Sequence, residues 1–258
     1  MNTNVTITVD VEGDFGGSEL RGVDEALPRL CDKLDELGAR AVFFWVGDVA
    51  RQRPHLVREL ASRGHTLGSH TMSHPALSHL APERRRRELY DARVLVEDLA
   101  SAPCVFFRAP FFDAPRGLGR WLEESGYRFS SSKAPFSIVS KYRNVFETKP
   151  HALDDTSVRE LPVPGVLGLP IPEGLSYRRL FFPLPMLQQR PPRVFYLHPY
   201  DLLDQDASGA AARRYGRLAE RLMTVRSGAW SRSYFDRLLT RWRSQGARLE
   251  PALDDAIG

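Results

Sequence analysis

The fold of this chain is decided near its start, where residues 5–12 read VTITVDVE. Valine and isoleucine alternate there with threonine, aspartate and glutamate, which is the period of a β-strand with two different faces. Asp10 and Glu12 stand two positions apart at the carboxyl end, so they share one face. The pattern predicts a strand that presents two carboxylates to the same side as it ends.

Helices and strands alternate after this first strand. Leucines at helical spacing predict a helix over residues 23–37, which Gly38 ends, and the apolar run at 41–46 predicts a buried strand. The further predicted elements are a helix at 54–63, a strand at 65–69, a helix at 82–100, a strand at 104–107, a helix at 115–125, strands at 127–130 and 194–197, and helices near 211–225 and 231–245. This rhythm predicts parallel βα units, closed into a barrel or left as an open sheet.

Barrel closure is favoured over the open sheet because candidate functional residues recur at the carboxyl ends of the predicted strands. The chain has 258 residues and 29.2 kDa, a size at which α/β barrels form one domain, so we expect a single domain over residues 1–258. Residues 131–193 are rich in proline and glycine. We expect them to form an irregular excursion over the barrel mouth, with short strands and a hairpin, and residues 204–258 to form the C-terminal helices.

Composition excludes several classes of protein. A hydrophobic content of 42% and a charged content of 26% are ordinary for a globular chain and exclude disorder. The two cysteines, Cys31 and Cys104, have no CxxC spacing and are predicted to be buried thiols. No stretch approaches the roughly 20 apolar residues of a transmembrane helix, and residues 1–4 lack the pattern of a signal peptide. The sequence therefore leads us to expect a cytoplasmic protein.

A formal charge of +4 and a pI near 9.2 favour an anionic partner, such as a phosphate-bearing substrate or a membrane surface. No nucleic-acid-binding motif accompanies this charge, so nucleic acid is not expected to be a partner. Residues 180–187 read LFFPLPML, too short to span a bilayer, and Arg178, Arg179 and Arg190 flank them. This segment predicts either a loop packed on the core or an apolar lid over 178–190 that contacts a lipid carrier, with its arginines facing phosphate.

Two histidines four residues apart give the strongest chemical signal. Residues 69–74 read SHTMSH, which places His70 and His74 at i and i+4. On one helical turn both imidazoles reach the same metal ion, and a carboxylate completes three protein ligands. Three protein ligands leave a coordination position open for water and substrate, as in catalytic zinc sites. The spacing therefore predicts a metal-dependent hydrolase. His65, just before this motif, is expected to be structural.

Four short motifs follow predicted strands in a fixed order: TVDVE at 8–12, SHTMSH at 69–74, FRAPF at 107–111 and YLHPY at 196–200. In order and spacing they resemble the polysaccharide deacetylase family, or NodB homology domain, over about residues 4–203. The resemblance implies a distorted (β/α) barrel of the NodB type. It also implies metal-dependent hydrolysis of N- or O-acyl groups on sugars.

The resemblance further implies a role for each motif residue. Most of the family reads Thr-Phe-Asp-Asp in the first motif, with the base before the metal ligand. Here Val11 separates Asp10 from Glu12, as in branches that read Asp-Val-Asp or Asp-Val-Glu. Asp10 is accordingly assigned as the base, and Glu12 as the metal ligand together with His70 and His74.

Other assignments remain open within the resemblance. Asp10 and Glu12 could exchange roles, and Asp14 is a third acidic candidate. Arg108 resembles the arginine of the family's Arg-x-Pro motif, which orients and charge-stabilises the base carboxylate. His198 resembles the histidine that protonates the departing amine. Many members hold that histidine with an aspartate from the strand after the arginine motif, and Ser130 stands at that place here.

We therefore expect an enzyme that removes an N-acyl group, most often acetyl, from an amino sugar or glycan. The expected cofactor is a divalent metal, zinc in first place, although the same ligands accept cobalt, nickel or manganese. A second reading is a deformylase or deacetylase of a lipid-linked or nucleotide-linked amino sugar. A third is a carbohydrate-binding protein whose active site has decayed.

Overall fold

The structure, a computed structural model of the chain, describes residues 4–135, 149–188, 190–204 and 216–251. Its centre is an eight-stranded sheet in the order β6-β7-β5-β4-β3-β2-β1-β8. All neighbouring strands are parallel except β6 and β7, which are antiparallel. The strands are β1 (Thr6–Val11), β2 (Ala41–Trp45), β3 (Thr66–Ser69), β4 (Phe106–Phe107), β5 (Phe129–Ser130), β6 (His151–Ala152), β7 (Arg159–Glu160) and β8 (Val194–Leu197).

Helices connect most of these strands. The α-helices are α1 (Leu27–Glu36), α2 (Gly47–Gln52), α3 (Pro54–Ser62), α4 (Pro82–Ala100), α5 (Leu118–Glu124), α6 (Leu175–Leu180), α7 (Arg217–Thr224) and α8 (Ala229–Ser244). A π-helical turn, Gly22–Ala26, runs directly into α1. Within the ranges that the structure describes, none of the helices combines the length and the apolar character that crossing a bilayer requires.

The sheet separates two apolar clusters, as alternation along its strands requires. Odd-numbered residues of β1, such as Ile7 and Val9, pack into the large cluster that includes α1, α3 and α8. On the other face, Phe44 of β2 packs into a smaller cluster with Phe106 and Tyr196. The even-numbered residues of β1 lie on this second face. The period of residues 5–12 therefore sets which face of the sheet carries the carboxylates.

The distorted barrel expected from the sequence is confirmed in the form of a curled half-barrel sheet, with β6 and β8 at its edges. Among the described residues these two edge strands do not pair with each other. The hairpin expected in the excursion is confirmed as β6–β7. Residues 136–148 of that excursion, and residues 211–215 of the predicted C-terminal helix, lie outside the described residues.

Two short helices were not predicted from the sequence. Both α2 and α6 have six residues, fewer than two helical turns, so periodicity has too few positions to register. Strands β4 and β5 are each two residues long and shorter than the apolar runs that predicted them. Both cysteines are buried, as expected.

His65 is buried just before β3, in agreement with its predicted structural role. Its Nδ1 accepts a hydrogen bond from the Ala41 amide at 3.3 Å, and its ring lies edge-on to Phe43. Burial, followed by the charge of Arg40, lowers the pKa of His65 from 6.5 to about 4. The pKa of His65 is therefore lower in the folded protein than in the unfolded chain. Such a histidine contributes to stability above pH 6.5, and the contribution is lost as the pH falls toward 4.

We predict that His65→Gln weakens the dependence of stability on acid. The glutamine amide oxygen can still accept the hydrogen bond from the Ala41 amide, but glutamine does not titrate. Up to about 3 kcal/mol of pH-dependent stability should therefore disappear. Chemical denaturation at pH 7, 5.5 and 4.5 measures the free energy of unfolding. His55→Gln, at an exposed position of α3, is the matched control. An unchanged acid dependence in His65→Gln would contradict the prediction.

Candidate active site

Five of the predicted site residues meet at one edge of the sheet. Asp10 and Glu12 come from the end of β1, His70 follows β3, Arg108 follows β4 and His198 follows β8. These strands are parallel, so their carboxyl ends lie at the same edge. All five side chains are buried or largely buried.

Glu12, His70 and His74 form a cluster whose ligand atoms all lie within 4.8 Å of one another. Glu12 Oε2 is 2.5 Å from His74 Nε2 and 3.8 Å from His70 Nε2, and the two Nε2 atoms are 3.2 Å apart. The donor set fits a zinc-type ion, because it combines two imidazole nitrogens with one carboxylate oxygen. Burial raises the pKa of Glu12, but the neighbouring His74, His198 and His70 outweigh burial and lower it to about 2.

The backbone of Arg108 orients one of these ligands. His70 Nδ1 lies 2.7 Å from the Arg108 carbonyl oxygen, which only accepts hydrogen bonds. The proton of neutral His70 therefore sits on Nδ1, and the Nε2 lone pair faces the cluster. Metal-ligating histidines are commonly fixed in this way by a partner at the second ring nitrogen.

The predicted helical turn across the two histidines is wrong. Residues 70–76 form an irregular loop, and Thr71 and His74 have φ values of 64° and 61°, in the left-handed region. The Thr71 hydroxyl accepts a hydrogen bond from the His74 amide at 3.1 Å, which closes a tight turn in place of a helical one. The i, i+4 spacing thus brings His70 and His74 together, as predicted, but through a different backbone path.

Glu88 holds this loop from outside, and sequence reasoning missed it. Its carboxylate, buried on α4, accepts from the Met72 amide at 3.0 Å, the Ser73 amide at 2.8 Å and the Ser73 hydroxyl at 2.6 Å. The Glu88 carboxylate thus accepts from backbone amides that would donate to backbone carbonyls in a helix. An available signal was that Glu88 stands on the apolar face of α4, beside the buried Leu89 and Ala92.

Arg108 and Asp10 form a buried ion pair, with 2.7 Å between Nη1 and Oδ1. The guanidinium has no exposed surface and also donates to the Thr8 hydroxyl, the Ser131 carbonyl and the Ser131 hydroxyl. Its carbon lies 4.5 Å from the centre of the Phe44 ring. Each of these contacts restricts the guanidinium, so the position of the Asp10 carboxylate is fixed as well.

His198 faces both carboxylates of β1. Its Nε2 is 4.0 Å from Asp10 Oδ2 and 3.8 Å from Glu12 Oε1. Burial lowers the pKa of His198, but its hydrogen bond with Asp201 and the charges of Glu12, Asp201 and Asp10 outweigh burial and raise it to about 8.

The partner of His198 is Asp201, which the sequence analysis did not identify. Asp201 Oδ2 accepts from the His198 amide at 2.9 Å and lies 3.4 Å from Nδ1. Arg179 and Ser176 donate to the other oxygen at 2.7 and 2.8 Å. Ser130 instead donates to Ser132. An acid three residues after His198, just past Pro199, is the capping pattern that could have revealed Asp201.

Asp14 lies outside the cluster that the described residues form. Its two carboxylate oxygens accept from the Gly22 amide at 3.0 and 3.2 Å, so it fixes the turn before α1. Burial raises the pKa of Asp14 to about 6. Of the acids at the end of β1, it is Glu12 that faces both histidines.

The expectation that Arg178 and Arg179 face phosphate is wrong. They are only 2% and 1% exposed, because Arg178 pairs with Glu173 and Arg179 with Asp201 inside the protein. Of the apolar residues after them, Phe181, Met186 and Leu187 are 41%, 52% and 64% exposed. Arg190 is exposed.

Residues 4–130 match the family model described as polysaccharide deacetylase. A peptidoglycan-N-acetylglucosamine deacetylase of Bacillus cereus is 29% identical over 103 residues, 40% of this chain and 38% of the relative. A chitooligosaccharide deacetylase of Azorhizobium caulinodans is 34% identical over 85 residues, 33% of this chain and 40% of the relative. The matched stretch therefore spans less than half the length of these curated relatives.

Solved structures show the same fold over nearly the whole chain. A putative polysaccharide deacetylase from Mycobacterium smegmatis superposes with a TM-score of 0.65 at 17% identity, covering 99% of this chain and 89% of that one. A peptidoglycan N-acetylglucosamine deacetylase gives a TM-score of 0.59 at 16% identity, covering 99% and 88%. Residues 4–130 of this chain thus match the polysaccharide deacetylase family, and the described chain has the fold of the solved deacetylase structures.

Proposed function

We propose that the chain is a metal-dependent hydrolase that removes an N-acyl group, acetyl in first place, from an amino sugar or glycan. The observation that carries the proposal is the convergence of Glu12, His70 and His74 beside the buried Asp10–Arg108 pair. Curated relatives named as deacetylases of peptidoglycan N-acetylglucosamine and of chitooligosaccharides support an acetylated amino sugar as the substrate class.

The three ligands would hold the metal, and zinc suits two imidazoles and a carboxylate best, although cobalt, nickel and manganese also accept them. A zinc ion supplies Lewis acidity toward the carbonyl and the water of the reaction. Everything else must come from the chain itself. It needs a base for the proton of water and an acid for the leaving nitrogen.

Asp10 is the proposed base. Arg108 occupies its Oδ1, and Oδ2 lies toward His198 at 4.0 Å, on the side where the ligand cluster is also found. A carboxylate fixed at one oxygen presents the other in a constant direction, which is what proton abstraction from a positioned water requires. Arg108 is a positioning residue in this scheme.

His198 is the proposed acid. The Asp201 carboxylate only accepts hydrogen bonds, so Nδ1 carries a proton toward it and Nε2 carries the transferable proton toward the site. The raised pKa, about 8, keeps that proton in place at neutral pH. An amine leaves poorly unless it is protonated, so Nε2 would donate to the departing nitrogen.

A second candidate substrate is a lipid-linked amino sugar, carrying acetyl or formyl. The exposed Phe181, Met186 and Leu187 favour it, because solvent-facing apolar side chains on adjoining turns suit an acyl or polyprenyl chain. The exposed Arg190 would supply positive charge near its phosphate. The hypothesis of a carbohydrate-binding protein with a decayed active site is disfavoured, because the proposed metal ligands, base and acid are all present and adjacent.

The function is tested by acetate and formate release from the zinc-loaded protein. The substrates are chitooligosaccharides, a peptidoglycan fragment and a polyprenyl-phosphate-linked acylated amino sugar. We expect release from at least one soluble glycan; release only from the polyprenyl substrate selects the second candidate. No release from any of them, with full metal content, would overturn the proposed activity.

Variants at Asp10 and at Glu12 should differ in how much zinc they retain. We expect Asp10→Asn to retain about one zinc per chain and lose turnover, whereas Glu12→Gln, like His70→Ala and His74→Ala, should lose most of the metal. Elemental analysis of each purified variant gives the answer, and His55→Ala is the control. Loss of metal from Asp10→Asn with retention in Glu12→Gln would reverse the two assignments.

Asp201→Asn should move the alkaline limb of kcat/KM to lower pH. The substitution weakens the hydrogen bond to His198 and removes one of the charges that raise its pKa, so the acid deprotonates at a lower pH. His198→Ala should lose about 100-fold to 10,000-fold on an N-acetyl substrate. Asp204→Asn, at an exposed carboxylate paired with Arg232, is the control. An unshifted limb in Asp201→Asn would contradict the acid assignment.

Glu88→Gln should weaken metal binding although Glu88 touches no ligand atom. The glutamine oxygen can still accept from both amides, but the charge is gone and a donor NH2 replaces the oxygen that accepts from the Ser73 hydroxyl, so the histidine loop is held more weakly. We expect a roughly 10-fold to 100-fold rise in the zinc Kd, the usual range for outer partners of a metal site. Competition with a chromophoric chelator measures it, against Glu83→Gln at an exposed position of α4. Equal Kd values for wild type and Glu88→Gln would exclude this role.

A further inference from the structure

Tyr200 lies on the turn that follows β8. Its ring contacts both Phe15 and His198, the proposed acid. Its ring stacks on the His198 imidazole with 4.6 Å between centroids and an interplanar angle of 12°. Phe15 packs against it at 4.7 Å, and Met223 of α7 packs against the Phe15–Tyr200 pair. Tyr200 is only 6% exposed. The ring is therefore held in place and in turn holds the plane of the imidazole.

The hydroxyl of Tyr200 reaches the proposed metal ligand. It donates to Glu12 Oε1 across 3.3 Å, from a residue 188 positions away in the chain. The other oxygen, Oε2, is the one next to His74 Nε2 at 2.5 Å and His70 Nε2 at 3.8 Å. The two oxygens of one carboxylate thus have different surroundings: Oε2 faces the imidazoles, and Oε1 faces Tyr200 and His198.

We propose that Tyr200 is a positioning residue that selects Oε2 of Glu12 as the ligating oxygen and holds the His198 ring at a fixed distance from it. A carboxylate without such a donor can rotate or bind through both oxygens. A hydroxyl directed at Oε1 withdraws that oxygen from coordination and stabilises binding through Oε2 alone. This inference rests on the proposed function, because it requires a metal at Glu12.

One side chain thereby links the metal ligand to the acid. Catalysis depends on the distance between the reacting groups to within about an ångström. The Tyr200 hydroxyl fixes Glu12, and the Tyr200 ring fixes His198, so the spacing between them does not depend on two independent loops. The two contacts use different parts of the residue and can be removed separately.

Tyr200→Phe removes the hydroxyl and keeps the ring. We expect its zinc Kd, measured on apoprotein by chelator competition, to rise roughly 10-fold to 100-fold. The cobalt-substituted protein should show weaker visible absorption bands, because a second carboxylate oxygen raises the coordination number. Tyr127→Phe is the matched control, since its buried hydroxyl donates to the Leu89 carbonyl. A Tyr200→Phe protein with the wild-type Kd and cobalt spectrum overturns the selection of Oε2.

Tyr200→Leu removes the ring as well. At saturating zinc its kcat should fall below that of Tyr200→Phe with little further change in KM, because only this variant leaves His198 unstacked. Equal kcat values for the two variants would overturn the proposed role of the ring contact. If Tyr200→Leu fails to fold, Tyr200→Phe still tests the role of the hydroxyl. Failure of the proposed function gives a different result: wild type itself would bind no zinc, or would bind zinc and release no acyl group, and in the latter case the Kd comparison still tests the selection of Oε2.

Discussion

The buried ion pair between Arg108 and Asp10 ties together the middle strands of the sheet. Arg108 follows β4 and Asp10 lies on β1, with β2 and β3 between them in the sheet. A guanidinium with no exposed surface requires a carboxylate partner, since removing one member of a buried pair costs about 3–5 kcal/mol. The side chain reaches that partner over the Phe44 ring of β2. The pair therefore links β1 to the residue after β4 across the two strands that separate them.

The same arginine organises both halves of the proposed site. Its side chain holds the proposed base, while its carbonyl oxygen holds His70 in the tautomer that leaves Nε2 facing the cluster. The proposed base and one proposed ligand are thus both positioned by a single residue, which directly follows β4. Ser131, after the neighbouring β5, fixes the guanidinium from behind through its carbonyl and hydroxyl. Substitution at Arg108 would disturb fold and site together, and this makes it a poor place to separate their contributions.

Strands supply the scaffold, and the turns that follow them supply the chemistry. The turn after β8 carries His198, Tyr200 and Asp201 within four residues, and both Tyr200 and Asp201 contact the His198 imidazole. The loop after β3 carries both histidines but has no regular structure of its own. It takes its shape from Glu88 on α4, so the ligand geometry depends on how that helix packs against β3. A buried carboxylate holds each segment: Asp201 the turn after β8, and Glu88 the loop after β3.

Sequence alone determined the features that repeat with a fixed period or lie close together in the chain. Alternation at 5–12 placed Asp10 and Glu12 on one face, and the four ordered motifs selected the proposed metal ligands, Arg108 and His198 as candidates, which the sheet brings together. Only the tertiary structure decided the backbone path between His70 and His74, the burial of Arg178 and Arg179, and the contacts of Glu88 and Tyr200. Periodicity records which face of a strand or helix a residue occupies, but it carries no information on irregular loops. A hydrogen bond between residues 188 positions apart exists only once the sheet has brought their strand ends together.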